Sequence, residues 1–250
     1  MQMFTAKPQI LNQMKYPHLT SLLIVLLIGL GFGCSRTQPE TVKSQVPQLL
    51  QRQPSLQNGK EWDRVQNEYA AQMKALRNKP EALQPRLRLA NLFTAEARIT
   101  GEHGHYYPAA LQMTDEILAT DPKDHDLKFL ALSTKAGVQL SLHQFKEALE
   151  TGLQALEINR YNAAIYGVLT DAYTELGQYG KAVEMADQMM NIRPDLRSYS
   201  RVSYQREIHG DLPGAIEAME MAVAAGPPAT EETAWAMLTL GKLYEMKADT

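Results

Sequence analysis

Residues 163–195 read AAIYGVLTDAYTELGQYGKAVEMADQMMNIRPD, and this stretch decides the fold of the chain. Tyr166, Leu169 and Tyr173 recur at helical spacing, which predicts a helix with one apolar face. Gly177 predicts the end of that helix, because glycine enters the left-handed conformation without steric cost. The stretch therefore begins with a helix and a tight turn.

The second half of the same stretch predicts a second helix. Ala182 marks its buried side, where a small side chain lets the two helices approach closely, and Pro194 cannot continue the helix. Alanines at equivalent places after a turn stand at positions 148, 182 and 215, which are 34 and 33 residues apart. A period near 34 residues predicts a series of stacked helical hairpins.

The pattern resembles the tetratricopeptide repeat family. The positions in residues 163–195 that match this family are Tyr166, Leu169, Tyr173, Gly177, Ala182 and Pro194. Thr170, His143 and Arg160 depart from it, the last two where the turn Gly and the closing Pro are expected in the preceding unit. The resemblance implies an all-α fold, a right-handed superhelix of helix hairpins without a sheet. It also implies an inner groove that holds a protein or peptide partner.

The same register divides residues 60–250 into units. Their predicted bounds are 60–80 (a half unit), 83–122, 125–160, 163–195, 196–228 and 232–250 (incomplete). Unit 83–122 is longer than one period, and we expect its extra residues, around Thr100 to Pro108, in an inter-helix loop. The last unit stops before its second helix, which indicates either a fragment of a longer chain or an atypical terminal helix.

The N-terminal region predicts an export signal. Residues 21–32 are apolar or Gly, a run of about twelve that is too short to span a membrane, which takes about 20 residues. Cys34, the single cysteine, follows this run and resembles the lipidation site of bacterial lipoproteins, although Leu30 lies one place further back than that family prefers. The resemblance implies a signal peptide at 1–33, with Met14 as a possible true start, and acylation (palmitate) of Cys34. The alternative is an uncleaved anchor followed by a buried free cysteine.

A lipid anchor would determine the location of the protein. Residues 34–59 are rich in Gln, Ser, Thr and Pro, and they predict a lipidated Cys34 followed by a disordered tether. Ser35 is not acidic, which in the enterobacterial sorting pattern implies the outer membrane. We therefore expect attachment to the cell envelope, facing the periplasm or the cell surface.

Charge and composition exclude several classes of function. The formal net charge of −3 becomes −5 without residues 1–33, which hold two lysines and no acid. This balance argues against nucleic acid as a partner. We find no phosphate loop and no nucleophile beside a base, so the sequence predicts a protein that is not an enzyme and needs no cofactor.

The groove register selects candidate partner-binding residues. They lie on the inner face of the first helix in two successive units: Asp171, Thr174, Glu175, Arg197, Ser200, Arg201, Tyr204 and Glu207. Arg197 and Arg201 are one helical turn apart and predict a basic strip, and Tyr and Arg are frequent in binding hot spots. The alternative is a helix face that only meets solvent.

The sequence leaves three functions open. The first is a membrane-tethered interaction scaffold, and the second is an envelope-assembly or secretion lipoprotein of the pilotin type. The third is a metal- or small-ligand-binding protein that uses His103 and His105. Two histidines are a weak metal signal, because zinc sites need three or four ligands. The alternative for this pair is a polar loop with solvated imidazoles.

Overall fold

The computed structural model describes residues 45–248, which fold into ten α-helices and one short 3-10 helix at Pro54–Leu56. The α-helices, in chain order, are α1 (Gly59–Asn78), α2 (Gln84–Thr100), α3 (His103–Leu118), α4 (His125–Ser141), α5 (Phe145–Ile158), α6 (Ala163–Glu175), α7 (Tyr179–Ile192), α8 (Leu196–Ile208), α9 (Leu212–Ala225) and α10 (Glu231–Ala248). No strand occurs in this part of the chain. The predicted all-α fold is therefore confirmed.

Sequential helices pack as antiparallel hairpins. The pairs α2/α3, α4/α5, α6/α7 and α8/α9 make the most extensive contacts, and the first helix of each pair also contacts the first helix of the next. This arrangement stacks the hairpins side by side and places α2, α4, α6, α8 and α10 along one inner surface. Stacking buries apolar faces that a single hairpin would expose to water.

The hairpin α6/α7 shows how the local sequence produces the unit. The Asn162 side chain accepts a hydrogen bond from the Ala164 backbone N–H and caps α6. Gly177 adopts φ +70° in the turn, the conformation expected there. Ala182 is fully buried against Leu169 and Tyr173, which confirms the close helix–helix approach.

The preceding turn achieves the same geometry without glycine. His143 adopts φ +58°, close to the +70° of Gly177, and its ring packs edge-on against Phe145 with centroids 5.4 Å apart. A left-handed backbone costs a residue other than glycine roughly 1–2 kcal/mol. The packing of the flanking helices α4 and α5 holds this conformation.

The segment after Thr100 differs from the predicted loop. Helix α3 begins at His103, directly after a two-residue turn in which Gly101 has φ +76°. The extra residues of this unit lengthen its helices instead, since α2 and α3 have 17 and 16 residues while α6 and α7 have 13 and 14. The prediction of a loop is wrong because Tyr106 and Tyr107 are both buried in the core and require a helical register.

Residues 46–58, which we call the capping segment, differ from the predicted tether. Val46, Leu49 and Leu50 pack against the core formed by α1, α2 and α3. The open face of α1, a second helix without a first, needs a cover, and this segment supplies it. The tether prediction is wrong for these residues because their few apolar side chains suffice to cover one hairpin.

Arg52 holds the capping segment in place. Its guanidinium is almost fully buried and donates to both carboxylate oxygens of Glu96, at 2.8 and 2.5 Å. It also donates to Glu61, at 2.7 and 3.0 Å, and lies 4.7 Å from the centroid of the Trp62 ring. Hydrogen bonds and charge pairing of this quality raise the pKa of Arg52 further and lower the pKa of Glu61.

The half unit at the other end has no such cover among the described residues. Two periods of 34 residues separate Met237 and Leu238 of α10 from Leu169 and Thr170 of α6. In α6 these two positions are at most 1% exposed, whereas Met237 and Leu238 are 56% and 61% exposed. Helix α10 is held by its opposite side, through Ala236 and Leu243.

The predicted signal peptide, Cys34 and the first part of the tether lie outside the described residues. Within residues 45–248, no helix combines the length and the apolar character that crossing a membrane requires.

Candidate functional site

One helix of every hairpin contributes to the inner groove. Side chains of α2, α4, α6, α8 and α10 surround a cavity of about 820 Å³, and Met189 and Met219 of the outer helices form its floor. Because the stacking repeats the same helix at the same place, residues far apart in sequence meet here. The groove is therefore the concave surface that the repeat pattern predicts.

Most of the predicted groove residues do line this cavity: Asp171, Arg197, Ser200, Arg201, Tyr204 and Glu207. Thr174 does not, because its hydroxyl lies buried between α6 and α8 and accepts a hydrogen bond from the Gln205 side chain at 2.7 Å. Glu175 is exposed but is not among the lining residues. The Ser200 hydroxyl donates to the backbone carbonyl of Leu196 and is not free for a ligand.

Arg201 joins two neighbouring hairpins. It donates to both carboxylate oxygens of Asp171, at 2.9 and 2.6 Å, and to the backbone carbonyl of Gly167 at 3.2 Å. A Cβ atom at position 167 would lie 3.1 Å from the Arg201 guanidinium carbon, so glycine is needed for this close approach. Two parallel charge-assisted bonds fix the guanidinium strongly, and Arg201 therefore acts as a link between α6 and α8.

Arg197 has a different environment, although it lies one turn away on the same helix. Its guanidinium donates once to Glu232 of α10, at 2.5 Å, and its side chain remains 60% exposed. Arg98 of α2 approaches the neighbouring Glu231 at 3.6 Å. The predicted basic strip thus consists of one arginine bound into the array and one at the mouth of the groove, each with an acidic partner.

Aromatic and aliphatic side chains give the groove an apolar component. Tyr204 and Trp235 are each about half exposed, at 48% and 52%, and Leu140 and Val168 lie deeper along the same surface. Half-exposed aromatic rings offer apolar area together with a hydrogen-bonding tip. Such a surface suits a polypeptide ligand better than a small polar molecule.

The Tyr204 hydroxyl stays protonated near neutral pH. Burial raises its pKa above the usual range, and the charges of Glu175 and Glu207 raise it further. The phenol is thus available as a hydrogen-bond donor at the edge of the groove.

Some lining residues were missed from the sequence, and the repeat could have found several. Moving the register of Asp171 back by 34 residues leads to Gly137, and moving it forward by two such periods leads to Thr239, both in the groove. Arg98 could not be found this way, because α2 is longer than the other first helices and its last turn falls outside the repeat register.

His103 and His105 occupy the first turn of α3. The His105 Nε2 atom lies 2.8 Å from the backbone carbonyl of Gln48 in the capping segment, and the His103 ring stacks on Tyr107 with centroids 4.9 Å apart. Within residues 45–248, no group of three or more His, Cys, Asp or Glu side chains is placed to hold a metal ion. The contacts of both histidines are with neighbouring parts of their own hairpin.

Comparison with known proteins identifies the fold. No protein family matches the sequence, and no curated protein does. Among solved structures, the thermophilic tetratricopeptide repeat protein TTC0263 of Thermus thermophilus is 24% identical, with a TM-score of 0.55 over 66% of this chain and 83% of that one. Yeast Tom70 is 15% identical, with a TM-score of 0.53 over 74% of this chain and 38% of that one.

A third solved structure, the protein MamA, is 17% identical, with a TM-score of 0.50 over 66% of this chain and 86% of its own length. At these identities the likeness concerns the fold alone. The chain therefore has the helical-hairpin fold of tetratricopeptide repeat proteins, as the repeat pattern predicts.

Proposed function

We propose that this protein is a non-enzymatic interaction scaffold whose inner groove binds a protein or peptide partner. The observation that supports this proposal most directly is the groove itself, a cavity of about 820 Å³ that combines half-exposed aromatic rings with arginines and carboxylates. Tyr and Arg side chains of this kind contribute much of the binding energy in protein interfaces.

The chemistry of the groove also favours binding over catalysis. None of the residues found to line it is a histidine or a cysteine, and its Ser200 hydroxyl is bonded to the backbone of its own helix. A nucleophilic enzyme would need a hydroxyl or thiol beside a base. The polar groups here are arranged as ion pairs, which suit recognition of another chain.

Photo-crosslinking tests the groove as the binding surface. A benzophenone amino acid replaces Tyr204 in one variant and Leu153, a partly exposed residue on the outer helix α5, in a matched control. In the cells that produce the protein, we expect a discrete crosslinked partner from position 204 and none from position 153. Equal crosslinking from both positions would remove the groove from its proposed role.

We further propose that the scaffold is tethered to the bacterial envelope through acylated Cys34. The support is the apolar run at residues 21–32 followed by the single cysteine. Two or three acyl chains provide stable membrane attachment, and we place the protein at the outer membrane, facing the periplasm or the cell surface.

Fractionation tests the anchor separately from the groove. The full chain and its Cys34→Ser variant are expressed in a bacterium, and membranes are separated by centrifugation. We expect the parent in the membrane fraction with a mass increase from acylation, and the variant without that increase. A variant processed and membrane-bound like the parent would contradict lipid attachment at Cys34.

A further inference from the structure

Two adjacent carboxylates at the start of α10 hold arginines from two distant helices. Glu231 approaches Arg98, in the last turn of α2, at 3.6 Å, and Glu232 approaches Arg197, in the first turn of α8, at 2.5 Å. The two arginines are 99 residues apart in sequence and lie on the same groove. The Glu231–Glu232 pair therefore bridges the first and the fourth hairpins across the groove.

We propose that Arg98 and Arg197 form a two-point site for adjacent carboxylates of a partner, and that Glu231–Glu232 occupies this site in the free protein. This inference rests on the proposed function of the groove and specifies its ligand: a peptide segment with an acidic doublet. The internal occupant shows which chemistry the two guanidiniums accept.

The two ion pairs are of the kind that a ligand can replace. Each is a single contact, and the side chains of Arg98 and Glu231 are 55% and 80% exposed. Exposed pairs contribute about 0–1 kcal/mol each. The Arg201–Asp171 pair in the same groove is bidentate and mostly shielded, so it persists while the outer two exchange.

Helix α10 is attached so that its carboxylates can leave the site. It follows the sequence Gly226-Pro-Pro-Ala, in which Ala229 has φ +57°, and it packs on α9 through Ala236 and Leu243. The acidic doublet lies at the end of α10 next to this connection, ahead of those apolar contacts. Acidic residues also suit a helix N-terminus, so the doublet remains acceptable there when its arginines are taken.

Trp235 extends the site beyond the charges. It lies one turn after Glu231 on the same helix, and it lines the groove as Tyr204 does. A partner segment that carries an apolar side chain about one turn from its acidic doublet would meet both rings. The sequence of residues 230–238, TEETAWAML, is itself such a segment.

Binding of that segment in trans tests the proposal. The probe is a fluorescein-labelled peptide of residues 230–238, and the matched control peptide has Gln in place of both Glu residues. We expect the Glu231→Gln/Glu232→Gln full-length variant to bind the acidic probe about tenfold more tightly than the parent does. The loss of two internal pairs worth about 0.7 kcal/mol each converts to that factor.

Arginine variants of the same chain complete the test. In the Glu231→Gln/Glu232→Gln background, Arg98→Gln/Arg197→Gln should abolish binding, whereas Arg206→Gln should not. Arg206 pairs with Glu217 of α9 and is not a lining residue, so it is a matched control. Far-UV circular dichroism establishes that each variant is folded.

The outcomes separate the inference from the proposed function. Equal affinity of parent and double Gln variant, binding of the Gln peptide, loss of binding in Arg206→Gln or no binding by any variant would each overturn the acidic-doublet site. If crosslinking from position 204 still identifies a partner, the groove retains its proposed function and only this inference fails. If position 204 also yields no partner, both fail.

Discussion

The two half units of this array, α1 and α10, solve the same packing problem differently. The open face of α1 is covered by the capping segment, with Arg52 buried at 3% exposure against Glu96. The corresponding face of α10 remains in solvent within the described residues, with Met237 more than half exposed. A short extended segment can thus replace a whole helix if it brings one well-paired charge and a few apolar side chains.

The comparison also separates two kinds of ion pair. Arg52 at the first end is buried and touches two carboxylates, so its removal leaves charge in a dry environment. Arg98 and Arg197, near the other end, make exposed single contacts. We expect buried pairs to govern stability and exposed pairs to govern recognition.

The largest effect should follow from loss of the buried charge. Arg52→Ala leaves the carboxylate of Glu96, itself 1% exposed, without its partner, which costs about 3–5 kcal/mol of unfolding free energy. Thermal denaturation followed by circular dichroism measures this loss. Arg193→Ala, which removes an exposed pair with Asp195, should change stability by less than about 1 kcal/mol. Similar melting temperatures for Arg52→Ala and the parent would end the distinction between the two ends.

An interior unit provides the reference for both ends. Ala182→Trp inserts a large ring where α6 and α7 are in closest contact, at a fully buried position, and should cost roughly 3 kcal/mol through overpacking. Ala234→Trp, at an exposed position of α10, should cost little. Chemical denaturation of the two variants measures the difference. If both substitutions were tolerated equally, the helical register assigned to α7 would be wrong.

Acid should weaken the first end before the rest of the array. Arg52 lowers the pKa of Glu61 below its usual 4.5. A carboxyl with a lowered folded-state pKa stabilises the protein above its unfolded-state value, and this contribution is lost as the pH falls through the folded-state pKa. We expect stability to drop below about pH 4.5, and Glu61→Gln to flatten that part of the profile. Melting temperatures between pH 7 and pH 3 test this, and an unchanged acid slope in the variant would contradict it.

The smallest effect should be a gain. Gly241 of α10 has open space where a Cβ atom would lie, so Gly241→Ala should stabilise the helix by about 0.5–1 kcal/mol. Gly152→Ala of α5 is the matched interior change, and its Cβ would lie 3.0 Å from the Leu169 side chain. We expect that variant to lose stability in urea titrations. A gain for Gly152→Ala would show that interior packing is looser than the structure indicates.

Sequence reasoning predicts the periodic parts of the molecule well. Gly177, Ala182 and the spacing of their equivalents give the hairpins, since turn and close-approach positions admit few residue types. His143 shows the limit of that rule, because helix packing imposes a left-handed turn on a residue other than glycine.

The parts that do not repeat could not be predicted. Arg52 and Glu96 are 44 residues apart and meet only after α1 and α2 have packed, so no local pattern announces their pairing. The groove shows the same division. The repeat register gives Tyr204 and Asp171, but Glu231 and Glu232 reach their arginines through the curvature of the whole stack.

The capping segment has a mechanical consequence for the array. Its anchoring points follow one another within six residues: Pro47 to Tyr69 of α1, Gln48 and Leu50 to His105 and Tyr106 of α3, and Arg52 to Glu96 of α2. A pulling force applied at residue 46 is therefore shared by three helices before it reaches α1 along the chain. The load is carried by the outermost hairpin as a block, and the groove keeps its shape while the protein is under tension.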